Sequence, residues 1–282
     1  MATKFLKKIL VPIDGSVSSL MAEETAAVIA KKTGASVTVL HATQELKMGY
    51  RLPKSVENEI LSHIEQEAEK TVNDTRALFK EEKIKVDTKT IGRSDPANSI
   101  LELSSNYDMT IMGAHGENEK DPYALGSITK KVIHHADYPV LVTKKVSPIS
   151  NLLICIDGSP NSSKALDYAL RLADKMDSKI TVLNVQEQKI HKKAPKAVEE
   201  LGHKILAKSL TAVGKKKVKV DTKLKIGVPS DSIVEVATKG KYDLIVLGSR
   251  GLGTVDRFLL GSVSDDVSHK AKCSVLIVPT KK

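Results

Sequence analysis

The chain has 282 residues, 41% of them apolar and 28% charged, and its 44 Lys and Arg against 34 Asp and Glu leave a net charge of +10. That length suits one large or two modest domains, and no apolar run approaches the roughly 18 residues a membrane-spanning helix needs. Cys155 and Cys273 lie in apolar segments and suggest no disulfide framework, and the N-terminus runs straight into a strand-like stretch. These features point to a reduced, cytoplasmic setting and no membrane partner.

In chain order, short apolar runs alternate with amphipathic stretches. Ile9–Ile13, Val37–His41, Val86–Ile91, Met109–Met112 and Val140–Val142 read as strands, with helices expected over 17–33, 55–81, 95–105 and 126–136. In the first of these helices Leu20, Ala27, Val28 and Ala30 fall near one face, and Gly34 ends it. Asp95 and Pro96 form a cap and first-turn pair for the third. The pattern is then repeated. KILVPIDGS at 8–16 returns as NLLICIDGS at 151–159, and YDMTIMGAHG at 107–116 as YDLIVLGSRG at 242–251. A repeat of about 140 residues is too long for a solenoid and marks two tandem domains, which we bound at 1–146 and 147–282. Strand–helix alternation of this kind builds an α/β fold, here two tandem open five-stranded parallel sheets with helices on both faces. Continuous runs such as LIVLG at 244–248 fit strands buried on both sides.

The positive charge raises nucleic acid as a partner. The lysines are scattered, however, and the densest cluster, GKKKVKV at 214–220, precedes a strand. With three Phe, six Tyr and no Trp, no aromatics interleave with the basic residues as a single-strand platform requires. A solvated, lysine-rich surface is the better reading.

In open parallel sheets, ligands settle at the carboxyl ends of the strands where the strand order reverses. The turn DGS after the first strand and the glycines after the fourth fall at such places. No Walker string is present, and G-x-G-x-x-G fails because Asp256 stands where the third glycine belongs. What remains is Gly248-x-x-Gly251, nine residues, then Gly261-Ser262, and in the first copy Gly113-x-x-Gly116, nine residues, then Gly126-Ser127. Glycines admit positive φ and close backbone approach to a ligand. A glycine followed by serine at a helix start offers unpaired N–H groups and a dipole to an anion.

On these residues both halves resemble the universal stress protein family, whose nucleotide-binding branch carries G-2x-G-9x-G-S/T together with a strand-one DGS. The resemblance implies a Rossmann-like sheet of strand order 3-2-1-4-5 and a bound ATP or other adenine nucleotide with Mg²⁺ or Mn²⁺. In the second half it implies ribose at Asp157 and adenine near Val185. Gly248, Ser249, Arg250 and Gly251 would wrap the ribose and first phosphates, and Gly261, Ser262 and Val263 the distal ones. The matching positions in the first half are Asp14, Ala42, Gly113, Ala114, His115, Gly116, Gly126, Ser127 and Ile128. The proline common on the first strand is Pro12 in one copy and Cys155 in the other. The resemblance also implies pairing of last strands, here between Val140–Thr143 and Val275–Pro279 within one chain, with a homodimer as a further level.

The two sites are not expected to be equal. The second spacer carries Leu252, Val255, Phe258, Leu259 and Leu260 with Arg257, whereas the first carries Glu117, Glu119 and Asp121 beside the expected phosphates. Like charges oppose a triphosphate unless a divalent cation bridges them. Ser16 and Ser159 read as helix caps rather than nucleophiles, Cys155 as core, His134 and His135 as helix-end residues, and His115 equally as phosphate contact or loop residue. His41, His63, His191, His203 and His269 show no metal-ligand spacing. With no recognisable general base, metal cluster or nucleophile, the chain reads as an ATP-binding regulatory stress-response protein. The alternatives are a slow, metal-dependent ATPase or autophosphorylating protein, and a partner-binding scaffold of the same fold that takes no nucleotide.

Overall fold

The computed structural model describes residues 5–44, 52–116, 121, 124–213, 219–251 and 260–279, apart from the side chains of Arg93 and Ala212. The first half runs β1 (Lys8–Ile13), α1 (Val17–Thr33), β2 (Ser36–Gln44), α2 (Lys54–Glu81), β3 (Val86–Ser94), α3 (Pro96–Ser104), β4 (Met109–Gly113), α4 (Ser127–His135) and β5 (Val140–Thr143). The second repeats it as β6 (Asn151–Cys155), α5 (Pro160–Met176), β7 (Lys179–Glu187), α6 (Gln188–His191), α7 (Pro195–Val213), β8 (Val220–Gly227), α8 (Pro229–Lys239), β9 (Leu244–Gly248), α9 (Ser262–Lys270) and β10 (Ser274–Val278). The expected elements are present with ends shifted by up to three residues, largest in the polar tails of β2 and β3, where ladder bonds outlast the apolar run.

Each half has the order 3-2-1-4-5, and together the strands form one ten-stranded sheet, β3-β2-β1-β4-β5-β10-β9-β6-β7-β8. The two five-stranded parallel sheets expected from the sequence are present, joined edge to edge at β5 and β10. Pairs within a half are parallel, and β5 meets β10 antiparallel with Leu276 opposite Leu141. Outer edges fall on β3 and β8, which expose Asp87 and Lys89 on one and Asp221 and Lys223 on the other.

Two apolar layers cover the sheet. Ile9, Val11, Val37 and Ile111 face α1 and α2, and their counterparts Leu152, Ile154, Ile180 and Val246 face α5 and α7. Leu10, Leu40, Met112 and Val142 pack on the other side with Ile100, Val132, Ile233 and Val267 from the shorter helices. The buried face of α1 is built from small residues, Ala22, Ala26, Ala27 and Ala30, around Ile29. Leu20 is 45% exposed, contrary to the expected face. At 100° per residue it lies opposite Ile29 and just beyond Ala27, at the rim of the small-residue stripe, which lets α1 approach β4 and α5 closely.

The seam between the halves carries a buried lysine. Lys144, just past β5, is 5% exposed. Its ammonium donates to the carbonyls of Ser268, His269 and Ala271 at 2.7, 3.2 and 2.9 Å. These acceptors end α9, where carbonyls lack helical partners and the dipole favours a cation. Burial pushes the Lys144 pKa down to about 8. A second link joins His134 to Asp265 at 2.9 Å.

Lys144→Ala strands three carbonyls at the end of α9, so it is expected to lower stability by about 2–4 kcal/mol in chemical denaturation. The pH dependence has a definite sign. Between pH 8 and 10.5 the unfolded lysine holds a proton that the folded one has released, so this group adds stability as pH rises through that window. The isosteric Lys144→Met should lack that component of the slope.

Candidate nucleotide sites

The first strand of each half ends in the same capped turn. After β1, the Asp14 carboxylate accepts through Oδ1 from the Ser16 amide at 3.1 Å and the Ser16 hydroxyl at 2.6 Å. After β6, Asp157 Oδ1 accepts from the Ser159 amide at 2.9 Å. Ser16 and Ser159 then cap α1 and α5 by accepting from the amides of Ser19 and Ser162, as their spacing suggested. Between aspartate and serine, Gly15 and Gly158 take φ of +83° and +86°, a region that disfavours any side chain. Here, then, lies the positive φ expected at Gly248 and Gly251, which are not among the positive-φ glycines.

Gly248 and Gly251 have another reason to be glycine. A Cβ on Gly248 would stand 2.9 Å from the backbone carbon of Asn161, and one on Gly113 2.7 Å from the backbone of Ser18. The end of the fourth strand is pressed against the first turn of α5 or α1. A Cβ on Gly251 would lie 2.6 Å from Asp157 Oδ2, and one on Gly116 2.9 Å from Asp14 Oδ2. The glycines let the loop reach the aspartate, and the remaining carboxylate oxygen faces that loop.

The second glycine pair is tied to the first by main-chain bonds. Gly126 N donates to Ala114 O at 2.9 Å, and Gly261 N to Ser249 O at 2.8 Å. Inside the helices that follow, Thr129 and Ser264 hydroxyls donate to the carbonyls of Gly113 and Gly248 at 2.9 and 2.8 Å. Unlike α1 and α5, helices α4 and α9 start at glycines with no side-chain cap. Their first N–H groups are available to an anion, with the exposed Ser127 and Ser262 beside them.

A cavity of about 510 Å³ opens there in the first half, lined by Asp14, Ala42, Gly113, His115, Gly116, Gly126, Ser127 and Ile128 among others. The equivalent cavity of about 490 Å³ in the second half is lined by Asp157, Val185, Gly248, Arg250, Gly251, Gly261, Ser262 and Val263. Both sizes fit a nucleotide-sized ligand. Of the residues singled out in the sequence, Ala114 and Ser249 alone are off the walls. Both turn into the core, and Ser249 joins the loop through its main chain. Pro12 and Cys155 face their respective cavities, and burial pushes the Cys155 thiol up.

Sequence reasoning missed two residues behind the first site. Glu23 is buried under Asp14, hydrogen-bonded by Ser19 at 3.1 Å, and burial raises its pKa. Its repeat counterpart is the apolar Leu166, so comparison of the copies was the available signal. His41 has its Nδ1 buried without a partner, and burial lowers its pKa. The matching Asn184 donates instead to Ile156 O at 2.7 Å. The acidic and apolar spacer residues Glu117, Glu119, Leu252, Val255, Arg257, Phe258 and Leu259 lie outside the described residues, as does most of the lysine cluster. Leu260 is buried.

The universal stress protein family model matches residues 6–144 and again residues 148–279. The chain belongs to the universal stress protein family. As a tandem universal stress protein it carries the family unit twice. A Staphylococcus aureus relative named for the family is 34% identical over 146 residues, covering 47% of this chain and 85% of the relative. A universal stress protein structure from Archaeoglobus fulgidus overlays 99% of this chain and all of that one, with a TM-score of 0.76 at 23% identity. A Pseudomonas aeruginosa family structure overlays the whole chain and 96% of that one, with a TM-score of 0.69 at 16% identity. At such identities these two likenesses speak for the fold. No described helix is long and apolar enough to cross a membrane.

The glycine geometry separates two costs. Gly248→Ala meets backbone that has no room to move and should cost about 1–3 kcal/mol. Gly251→Ala meets the end of a carboxylate that can swing and should cost less than about 1 kcal/mol. Thermal unfolding of the two variants side by side checks the order.

Proposed function

We propose that this universal stress protein is a nucleotide-binding regulatory protein in which each half, 1–146 and 147–282, holds ATP or a related adenine nucleotide. Occupancy then sets its conformation or its partners in a cytoplasmic stress response. The observation that carries this reading is the pairing, in both halves, of an uncapped helix N-terminus with an aspartate oxygen across one glycine-walled cavity. Anionic phosphates suit the first, and ribose hydroxyls suit the second as donors to a carboxylate. Ala42 and Val185, on the apolar wall, suit the base.

A divalent cation would neutralise charge on the phosphates. The described residues contain no group of three or more His, Cys, Asp or Glu placed to hold a metal, so Mg²⁺ or Mn²⁺ would arrive with the nucleotide. The second site is supported as the tighter one by Arg250 on its wall, where the first has His115. Asp265 and Asp266, near the start of α9, are engaged away from the phosphates by His134 and Ser230. The β5–β10 ladder supports a built-in pseudo-dimer, in which one chain supplies the contact two single-unit chains would share.

Calorimetric titration of the whole chain with ATP, with and without Mg²⁺, tests the reading. We expect binding that Gly251→Val weakens at least tenfold and Gly116→Val weakens at the lower-affinity site. No heat with any adenine nucleotide, in variants and wild type alike, would overturn it in favour of a non-nucleotide scaffold. Phosphate release above that of a denatured control, lost in Gly251→Val, would make the protein a slow ATPase.

A further inference from the structure

The residues that open α9 line the second cavity, Gly261 through Ser264 in succession. Asp265 comes next, still in the first turn of the helix. A carboxylate there opposes an anion bound at the helix start, because like charges repel most where water is scarce. At the matching positions of α4, Lys130 and Lys131 replace Asp265 and Asp266, and neither opposes an anion. The second cavity therefore carries an electrostatic cost that the first does not share.

Asp265 is held from across the seam. His134, in α4 of the first half, donates a ring N–H to Asp265 Oδ1 at 2.9 Å. An ionised carboxylate can only accept, which makes the imidazole the donor. His269, one turn further along α9, lies 3.5 Å from the same oxygen, but its Nδ1 is engaged by the Asp265 carbonyl at 2.9 Å. The side chains of His134 and Asp265 are 22% and 30% exposed, so salt screens the pair less than one on the open surface. Asp266 is held within its own half, by the Ser230 hydroxyl at 3.1 Å. Lys144, again from the first half, holds the far end of the same helix. The His134 contact runs one way. Its mirror image would set His269 against Lys130, which offers an N–H no acceptor.

We propose that the first half of the chain sets the phosphate affinity of the second nucleotide site, with His134 as the positioning residue. The inference rests on the reading of that cavity as a nucleotide site, and His134 is not among the residues lining it. With the seam bond made, the Asp265 carboxylate is turned to the first half and phosphate meets the uncapped N–H groups of α9. With the bond broken, the carboxylate is released in the first turn of the helix that the phosphates approach. The linkage is reciprocal, so a contact that favours phosphate is itself strengthened by phosphate. Occupancy of the second cavity then reaches the first half as a tighter seam.

The test is calorimetry at low salt with ATP–Mg²⁺ and with adenosine, on the full chain carrying Gly116→Val so that the second cavity is the one titrated. His134→Ala should weaken ATP roughly three- to fivefold and leave adenosine, which has no phosphate, unchanged. His134→Gln keeps an N–H donor and should restore the ATP affinity. Asp265→Asn should bind ATP at least as tightly as the parent, and adding His134→Ala to it should change nothing further. The loss in His134→Ala should also shrink as salt is raised. Unchanged ATP affinity in His134→Ala, an equal loss for adenosine, or a loss that persists beside Asp265→Asn would each overturn the proposal, the last two by showing that His134 serves the fold alone. Failure of the parent to bind any adenine nucleotide would overturn the nucleotide reading itself, and this inference with it.

Discussion

The architecture depends on one short antiparallel ladder. Each half of the chain ends in an apolar strand buried on both faces, β5 or β10, that would otherwise present unpaired N–H and C=O groups to water at a sheet edge. Pairing the two removes both edges at once and turns two five-stranded sheets into one sheet of ten. It also places the end of each half beside the start of the other, so Lys144 from the first half closes the last helix of the second. That helix opens on the glycine and serine of the second cavity, so its two ends answer to different halves.

Within each half the cavity follows from close packing. The fourth strand needs glycine because the helix after the first strand presses against it, and the loop needs glycine because the aspartate lies in its path. Two helices then point their N-termini at one space. One pair is capped by its own serine and the other starts at glycine with no side-chain cap. The division of labour repeats in both copies while the residues behind it diverge, as Glu23 against Leu166 and His41 against Asn184 show.

Most of the fold was legible in the sequence because it is written twice, and an ambiguous run in one copy is settled by its partner. The capped turns at Ser16 and Ser159 followed from local hydrogen-bonding chemistry, which sequence carries well. Leu20 was misjudged because helical periodicity gives weight to large apolar residues, whereas the buried face of α1 is made of alanines. At Gly248 the need for a missing Cβ holds and the positive φ does not, two demands that leave the same letter in the sequence. The residue that locks the seam was invisible for a different reason. Lys144 is one lysine among many until the fold brings it to carbonyls more than a hundred positions away.

The charged outer edges have a consequence for assembly. With β5 and β10 consumed inside the chain, β3 and β8 are the edges left among the described strands, and both expose acidic and basic side chains on strands that are half in water. A second molecule approaching edge-on would have to strip water from these charged side chains. Charge on both edges disfavours stacking of copies into a growing ribbon. That desolvation cost steers contacts between copies away from the two edge strands.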